Sequence, residues 1–357
     1  MTDHSTIYFI NNNPKDGTKG IVEGGSSRLI AWETWLRKHA GQFADIRLRT
    51  GKIAHNLQVL STLFFKRKAT ILFLYPVIGV PIFYLNSFEK IASVLFFLCL
   101  RKATKRNTVV FDISDLKYEQ AIDLELMDTP FGIRGEEIEK KLFSTDACFI
   151  FASYHMRFYA NQKYGIKPER TDVCINGGEP VNPGTILPVQ VDREKVNYVY
   201  SGTLNKGRQI EQLLEVFPED ERYHLYLLGP SGEWIADTRR NITYLGPVQE
   251  KIAHHFVSTC DVGLIPYDEK RLYYNLAYPT KLSFYITAQI PYISTPVDEV
   301  KDVDEAIHGG WLAPVSGWGE LIQSISKEAI QDRKKHVMEH SPKYLWDNIL
   351  SANHFIH

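Results

Sequence analysis

Short apolar runs alternate with stretches of helical period along the whole chain, and this alternation constrains the fold more than any other feature. The apolar runs fall at residues 7–10, 46–48, 71–75, 109–111, 148–151 and 173–175, and again at 197–200, 223–228, 242–245, 262–266 and 292–294. Helical spacing of apolar residues marks 28–40, 88–100, 136–143, 210–216, 251–260, 281–288 and 320–326 between them. Strands that are apolar throughout and alternate with helices build parallel sheets covered on both faces. The expected fold class is therefore α/β, with two doubly wound Rossmann-like domains. The boundary belongs in 176–196, NGGEPVNPGTILPVQVDREKV, which carries three Gly and three Pro and no helical period. The expected domains are 1–180 and 181–340, with a last helical stretch in 341–357 that crosses back to the first domain.

The chain has 357 residues, 44% of them apolar and 23% charged, which is enough to bury two cores and argues against disorder. A formal net charge of −1 gives no global attraction to nucleic acid. Cys99, Cys148, Cys174 and Cys260 lie in or beside apolar runs without C-x-x-C spacing, which reads as buried, reduced thiols of a cytoplasmic protein. The first residues show no basic and apolar secretory pattern. Residues 69–100 are membrane-like but interrupted by Pro76, Pro81, Asn86, Glu89 and Lys90, so no span is expected. Within that region FEKIASVLFFLCL is followed by RKATKR. An apolar helix ending in cations suits a peripheral contact with anionic lipid, and a sheet-covering helix with a basic exit explains the same residues.

Four stretches offer chemistry. YVYSGTLNKGRQIEQLLEVF, residues 198–217, reads as strand, turn and helix. Its turn brings backbone N–H groups at Gly202, a helix N-terminus, Lys206 and Arg208 towards one point, as an anion requires. Solvated cations before an ordinary helix are the plainer reading. In NLAYPTKLSFYITAQIPYIST, residues 275–295, Pro279 fixes the first turn of a helix starting near Thr280. Lys281 then occupies that first turn, where the helix dipole disfavours a cation unless an anion is near. Gly24-Gly25-Ser26-Ser27-Arg28 precedes a helix that either serine can cap, and paired glycines allow close approach of a ligand. In FDISDLKYEQ, Asp112 and Asp115 stand at a strand end, where a carboxylate can orient a hydroxyl or act as a base, or simply cap a helix. No metal-ligand spacing of histidines, nucleophile elbow, Walker loop or complete G-x-G-x-x-G is present.

Taken in order, FDISDLKYE, EEIEKKLFSTDACFIFAS, INGGEP, YSGTLNKGR, YLLGP, NITYLGPV, DVGLIPY, YPTKLSFYITAQIPYISTPVDEV and YLWDNIL resemble the GT-B glycosyltransferases. The likeness is to the retaining family-four type and its bacterial galactofuranosyl- and glucosyltransferase relatives, over about residues 5–355. It implies two Rossmann-like domains facing a cleft. It also implies a hexosyltransferase that moves a sugar from a nucleoside diphosphate sugar to an acceptor hydroxyl, retaining and metal-independent, with no cofactor beyond the donor substrate. The implied setting is bacterial polysaccharide, glycolipid or glycoprotein synthesis at the cytoplasmic face of the membrane. The acceptor is then a glycan, lipid-linked or protein-linked, and no nucleic acid is a partner.

By position, Lys206, Lys281 and Asp115 match catalytic residues of the resembled family. Gly24 and Gly25 match the glycine loop near the donor diphosphate, and Gly202, Asn275, Thr280, Ser283 and Glu299 are expected to bind the donor with them; Arg208 matches less directly, because the family's second phosphate arginine falls where Thr203 stands here. The chain departs from the pattern at Leu276 and Phe284, where glutamates are usual, and at Gln289, where glycine is usual. A catalytically silent partner of the same fold, or an epimerase or phosphorylase acting on sugar phosphates, are the alternative functions.

Overall fold

The computed structural model describes residues 6–11, 24–47, 52–76, 82–184, 187, 189–235 and 239–356. Two compact units divide these. The first gathers 6–11, 25–175 and 350–356, and the second Gly24 and 176–349.

In the first unit β1 (Ile7–Asn11), β2 (Phe43–Arg47), β3 (Thr70–Tyr75), β4 (Thr108–Ile113), β5 (Cys148–Phe151) and β6 (Thr171–Val173) form one parallel sheet in the order β2-β1-β3-β4-β5-β6. The connections carry α1 (Gly24–His39), α2 (Lys52–Phe65), α3 (Ser87–Ala103), α4 (Lys117–Asp123), α5 (Pro130–Phe143) and α6 (Tyr154–Tyr164). Central strands are buried on both faces, with Phe73, Phe111 and Phe149 fully enclosed and stacked ring to ring across neighbouring strands. Residues 350–356 complete this unit: Trp35 Nε1 donates to Ser351 Oγ at 2.9 Å, and the His354 N–H donates to Asp172 Oδ2 at 2.8 Å.

The second unit repeats the plan with β7 (Val196–Ser201), α7 (Ile210–Val216), β8 (Tyr223–Leu228), β9 (Ile242–Gly246), α8 (Glu250–Ser258) and β10 (Val262–Ile265). It continues with α9 (Leu272–Leu276), α10 (Thr280–Thr287), β11 (Tyr292–Ser294), α11 (Asp298–Ile307) and β12 (Gly310–Leu312), and closes with α12 (Trp318–Ser324), α13 (Lys327–His340) and all but the last two residues of α14 (Trp346–Ser351). The parallel sheet runs β12-β11-β10-β7-β8-β9. The chain therefore winds outward from β7 in one direction and from β10 in the other, and this reversal positions the site described below.

All eleven apolar runs become strands. The sequence pattern missed β12, a three-residue strand too short to show alternation, and it missed α2, α4, α6, α9, α11 and α13. The acidic run at 298–305 is most of α11, with Asp298 and Glu299 in its first turn where the helix dipole favours carboxylates. Helix α1 begins at Gly24, so Ser26 and Ser27 lie inside its first turn rather than at its cap. The last helical stretch breaks into a 3-10 turn, Ser341–Tyr344, and α14, with Leu345 between them in an extended conformation.

Candidate functional site

Strands β7 and β10 pair only through Val262 with Tyr198 and Gly263 with Val199, and beyond that register their carboxyl ends part. The gap is filled from α10. The Tyr285 ring lies flat on Gly263, where any Cβ would come within 2.5 Å of it. Its hydroxyl accepts from the Ser201 N–H at 3.1 Å and lies 3.1 Å from Leu264 O and 3.3 Å from Val199 O, so one phenol satisfies backbone groups that the diverging strands leave open. In open α/β sheets a ligand crevice forms outside the carboxyl ends of the two strands where the winding reverses, which here are β7 and β10.

Lys281 occupies that position. It is the second residue of α10, and Pro279 stands immediately before the helix. Its ammonium sits over the Tyr200 ring at 4.9 Å and the Tyr267 ring at 5.5 Å, and Tyr267 in turn stacks on Tyr274 at 4.8 Å. Gly202, with φ +145°, makes room for it: a Cβ there would lie 2.7 Å from both Cε and Nζ of Lys281. Gly229 makes room for Gly202 in the same way, since a Cβ on Gly229 would lie 2.0 Å from the Gly202 carbonyl oxygen. Lys281 is 8% exposed. Burial, and then the nearby Arg208 guanidinium, push its ammonium down to about 7. Among the described residues no carboxylate pairs with either cation. The aromatic faces provide a partial counter-field, but two positive side chains and the N-terminal end of α10 converge without an anion.

The turn after β7 differs from the expected cradle of amides. The Gly202 N–H donates to Leu228 O at 2.8 Å and the Leu204 N–H to Pro230 O at 2.9 Å, while the Gly207 N–H is held by the Glu211 carboxylate at 3.0 Å. Three of its donors are therefore committed within the protein, and the positive field of the site rests on side chains. Lys206 is exposed, with its ammonium 5.4 Å from the Trp234 ring, and the indole of Trp234 donates to Leu204 O at 2.6 Å.

The other candidate residues separate by what they touch. Thr280 opens α10 beside Lys281. Ser283 is fully buried, donates to Asn176 O at 2.6 Å and shares a hydrogen bond with the Tyr278 hydroxyl at 2.7 Å, so it fastens residue 176 to α10 rather than facing a ligand. Asn275 donates to Glu269 O at 2.8 Å and Arg271 O at 3.0 Å and accepts from the Asp298 N–H at 3.3 Å; it braces the start of α11. Glu299 is buried in the first turn of α11. Phe284, one helical turn beyond Lys281, borders a cavity of about 300 Å³ lined also by Glu179, Asn182, Glu250, Lys251 and His254. Burial pushes His254 down to about 4, so it is neutral at pH 7.

In the first unit Asp115 pairs with Lys117 Nζ at 3.0 Å and is 24% exposed. It does not cap α4. The cap position is Leu116, and Glu139 from α5 accepts from the Lys117 N–H at 2.7 Å instead. Asp112 faces inward, bound through both oxygens by Arg28 at 2.6 and 2.7 Å, with both residues almost wholly buried. Gly24 and Gly25 form the start of α1.

Comparison with solved structures gives the same pair of sheets. HepE from Anabaena in complex with UDP-glucose is 12% identical and matches over 98% of each chain with a TM-score of 0.62. Sucrose-phosphate synthase from Thermosynechococcus elongatus is 12% identical, with a TM-score of 0.63 over 97% of this chain and 96% of that one. WaaG, a glycosyltransferase involved in lipopolysaccharide biosynthesis, is 12% identical, with a TM-score of 0.55 over 85% of this chain and 95% of its own. The chain has the GT-B fold. No family model and no curated protein matches the sequence, so the likeness lies in structure. Within the GT-B fold the aromatic walls of the crevice, Tyr200, Tyr267 and Tyr285, are the residues that sequence reasoning passed over. The signals for two of them were a tyrosine just before Ser-Gly at the end of β7, Tyr200, and another just after Ile-Pro at the end of β10, Tyr267.

Proposed function

We propose that this GT-B protein transfers a sugar from a nucleoside diphosphate sugar to an acceptor hydroxyl, and that its second unit holds the donor. The observation that carries this reading is Lys281: a buried ammonium at the strand reversal, next to Arg208, with no carboxylate to balance it among the described residues. Such a charge is costly unless an anion completes it, and a diphosphate supplies about two negative charges at that point. In the reaction the bond from the sugar's anomeric carbon to the diphosphate breaks. A bond to the acceptor oxygen forms, the acceptor proton leaves, and negative charge accumulates on the departing diphosphate. Lys281 and Arg208, with Lys206 reaching from the same turn, stabilise that growing charge in a site fixed in advance.

The nucleoside is assigned to the cavity beside Phe284. HepE, of the same fold, binds UDP-glucose, which supports a nucleotide sugar as the donor class. Asp115 as an acceptor-side carboxylate, Gly24 and Gly25 near the diphosphate, a retaining outcome, metal independence, a role in bacterial polysaccharide, glycolipid or glycoprotein synthesis, and a peripheral membrane contact belong to the same proposal through resemblance.

A panel of nucleotide sugars and nucleoside diphosphates, read by thermal stabilisation and then by product formation, tests it, because a ligand of the native state raises its melting point. At least one donor is expected to stabilise and to turn over, with Lys281→Ala and Lys206→Ala reducing turnover at least a hundredfold and tenfold respectively, by analogy with loss of preorganised charge stabilisation. Wild-type turnover in both variants would overturn the assignment. A second reading is favoured by Leu276 and Phe284, both apolar where the resembled family carries glutamates: a binding protein without turnover. Stabilisation by a nucleotide sugar without any product would select it.

A further inference from the structure

Behind Asp115 lies a closed group of polar side chains that the transfer described above does not use. Leu116, at the cap position of α4, is 1% exposed and gives the first turn no side-chain hydrogen bond. A serine or asparagine there would cap α4 from within its own loop. The cap comes instead from α5. Glu139 Oε1 accepts from the Lys117 N–H at 2.7 Å, the Tyr118 N–H at 3.4 Å and the Tyr75 hydroxyl at 3.0 Å. Its Oε2 accepts from the Tyr164 hydroxyl at 2.8 Å. One fully buried carboxylate thus joins β3, α4, α5 and α6 around the carboxyl end of β4.

These bonds close a ring around residues 114–117. Lys117 Nζ donates to Asp115 Oδ2 at 3.0 Å, and Ser114 Oγ lies 3.4 Å from the same oxygen and 3.3 Å from Tyr75 O. Tyr75 pairs in register with Ile113, the last residue of β4, and its hydroxyl rests on Glu139. Asp115 is therefore held through Lys117 on one side and Ser114 on the other, and the two routes meet at Tyr75 and Glu139.

The arrangement is costly for a plain cap. Glu119 of α4 shares the enclosure and is 2% exposed. Its Oε1 accepts from the Tyr159 hydroxyl at 3.1 Å and from the Lys163 ammonium, while Oε2 is buried without a hydrogen-bond partner. That ammonium lies 4.9 Å from the Tyr118 ring and 5.2 Å from the Tyr164 ring, so two buried carboxylates share one cation. A hydroxyl would cap the helix without burying charge. What the carboxylate adds is a charge-assisted grip, about twice as strong as a neutral one, on the turn that carries Asp115.

We propose that Glu139 is a positioning residue for the acceptor side of the transfer, holding Asp115 and Lys117 where the acceptor hydroxyl arrives. This role rests on the reading of Asp115 as the acceptor-side carboxylate. The grip on residues 114–118 does not, and it is measured separately.

Amide hydrogen exchange of the full chain without ligand tests the grip. Glu139→Ala is expected to speed exchange of the Lys117 and Tyr118 amides about 10–100-fold. Glu139→Gln, whose carbonyl still accepts, should stay within about fivefold of the wild type. Glu139→Asp withdraws the carboxylate by one methylene, acts in the direction of the alanine variant, and replaces it should that variant not fold. The role is tested by sugar transfer to methyl glycosides from the donor that the nucleotide-sugar panel selects. Glu139→Ala is expected to lower transfer about 10–100-fold, as misplacement of a reacting group does, with donor affinity by calorimetry unchanged and Glu139→Gln restoring most of the rate. Added to Asp115→Asn, it should lower transfer less than about threefold further, because both changes act through one side chain. Unchanged exchange at Lys117 and Tyr118 would overturn the grip. Faster exchange with wild-type transfer, or losses that multiply in the double variant, would overturn the positioning role. Absence of transfer by the wild type would overturn the transferase reading and this role together, and exchange would still decide the grip.

Discussion

Replacing Lys281 with Met should make the ligand-free protein more stable while removing its ability to hold a diphosphate. The free side chain titrates at 10.5 and the folded one at about 7, with burial the first cause and Arg208 the second. That gap corresponds to roughly 4 kcal/mol of destabilisation at pH 7, an upper figure because local relaxation lowers it. The sign follows from proton binding. Between pH 7 and 10.5 the unfolded chain holds a proton that the folded chain has released, so stability rises with pH across that window. Below pH 7 both forms carry the charge and the full cost is present. Met fills a similar volume, and its thioether suits the Tyr200 and Tyr267 faces. Taking about half of the ceiling, ~2 kcal/mol, Lys281→Met is expected to raise the melting temperature of the second unit by roughly 4–8 °C at pH 7. Its advantage should shrink towards pH 10. Scanning calorimetry at pH 6, 7, 8.5 and 10 on both proteins measures this. An unchanged or lower melting temperature at pH 7, with parallel pH profiles, would refute the claim that Lys281 is an uncompensated buried cation.

The remaining expectations address the same electrostatics and the first unit. Arg208→Gln removes the second cause of the depression at Lys281, so the pH window in which wild-type stability climbs should begin higher, which the same calorimetric series detects. Asp112→Ala leaves the buried Arg28 guanidinium without its bidentate partner and should cost about 3–5 kcal/mol, read as a lower urea midpoint of the first unit. Glu139 is enclosed by Tyr75, Tyr164 and the Lys117 N–H, and burial followed by the neighbouring Glu119 raises its carboxyl to about 7. The folded chain then binds the extra proton between pH 4.5 and 7, stability falls as pH rises through that window, and Glu139→Gln should flatten the profile there.

Much of the architecture was legible because the central strands are apolar on both faces and read as uninterrupted runs. What escaped were elements whose logic is not apolar periodicity. β12 is three residues long, and α11 shows its charged face first. The site was half legible. Gly202 and Lys281 stand out in sequence because a glycine after a strand and a lysine in a first helical turn both need a reason, and in the structure each is the reason for the other. Two of the three committed N–H groups of the β7 turn could not be read, because their acceptors, Leu228 and Pro230, come from another strand and the loop after it. Ser283 and Asn275 lie in the same motif as Lys281, yet their side chains are used up in joining α10 and α11 to their surroundings. Spacing along a chain does not distinguish a side chain aimed at a crevice from one aimed at a carbonyl. The outer face of α3 illustrates the converse: its apolar run supported both a buried helix and a lipid contact, and the exposed Phe88, Ile91, Leu95 and Leu98 show that burial accounts for only half of it.

Titration calorimetry of a nucleoside diphosphate at pH 8, repeated in two buffers of different ionisation enthalpy, reaches the core of this account. At that pH Lys281 is mostly neutral in the free protein, and a diphosphate seated against it should draw in close to one proton as it binds, in the wild type and not in Lys281→Met. Binding that takes up no proton and is equally tight in Lys281→Met would place the phosphates elsewhere.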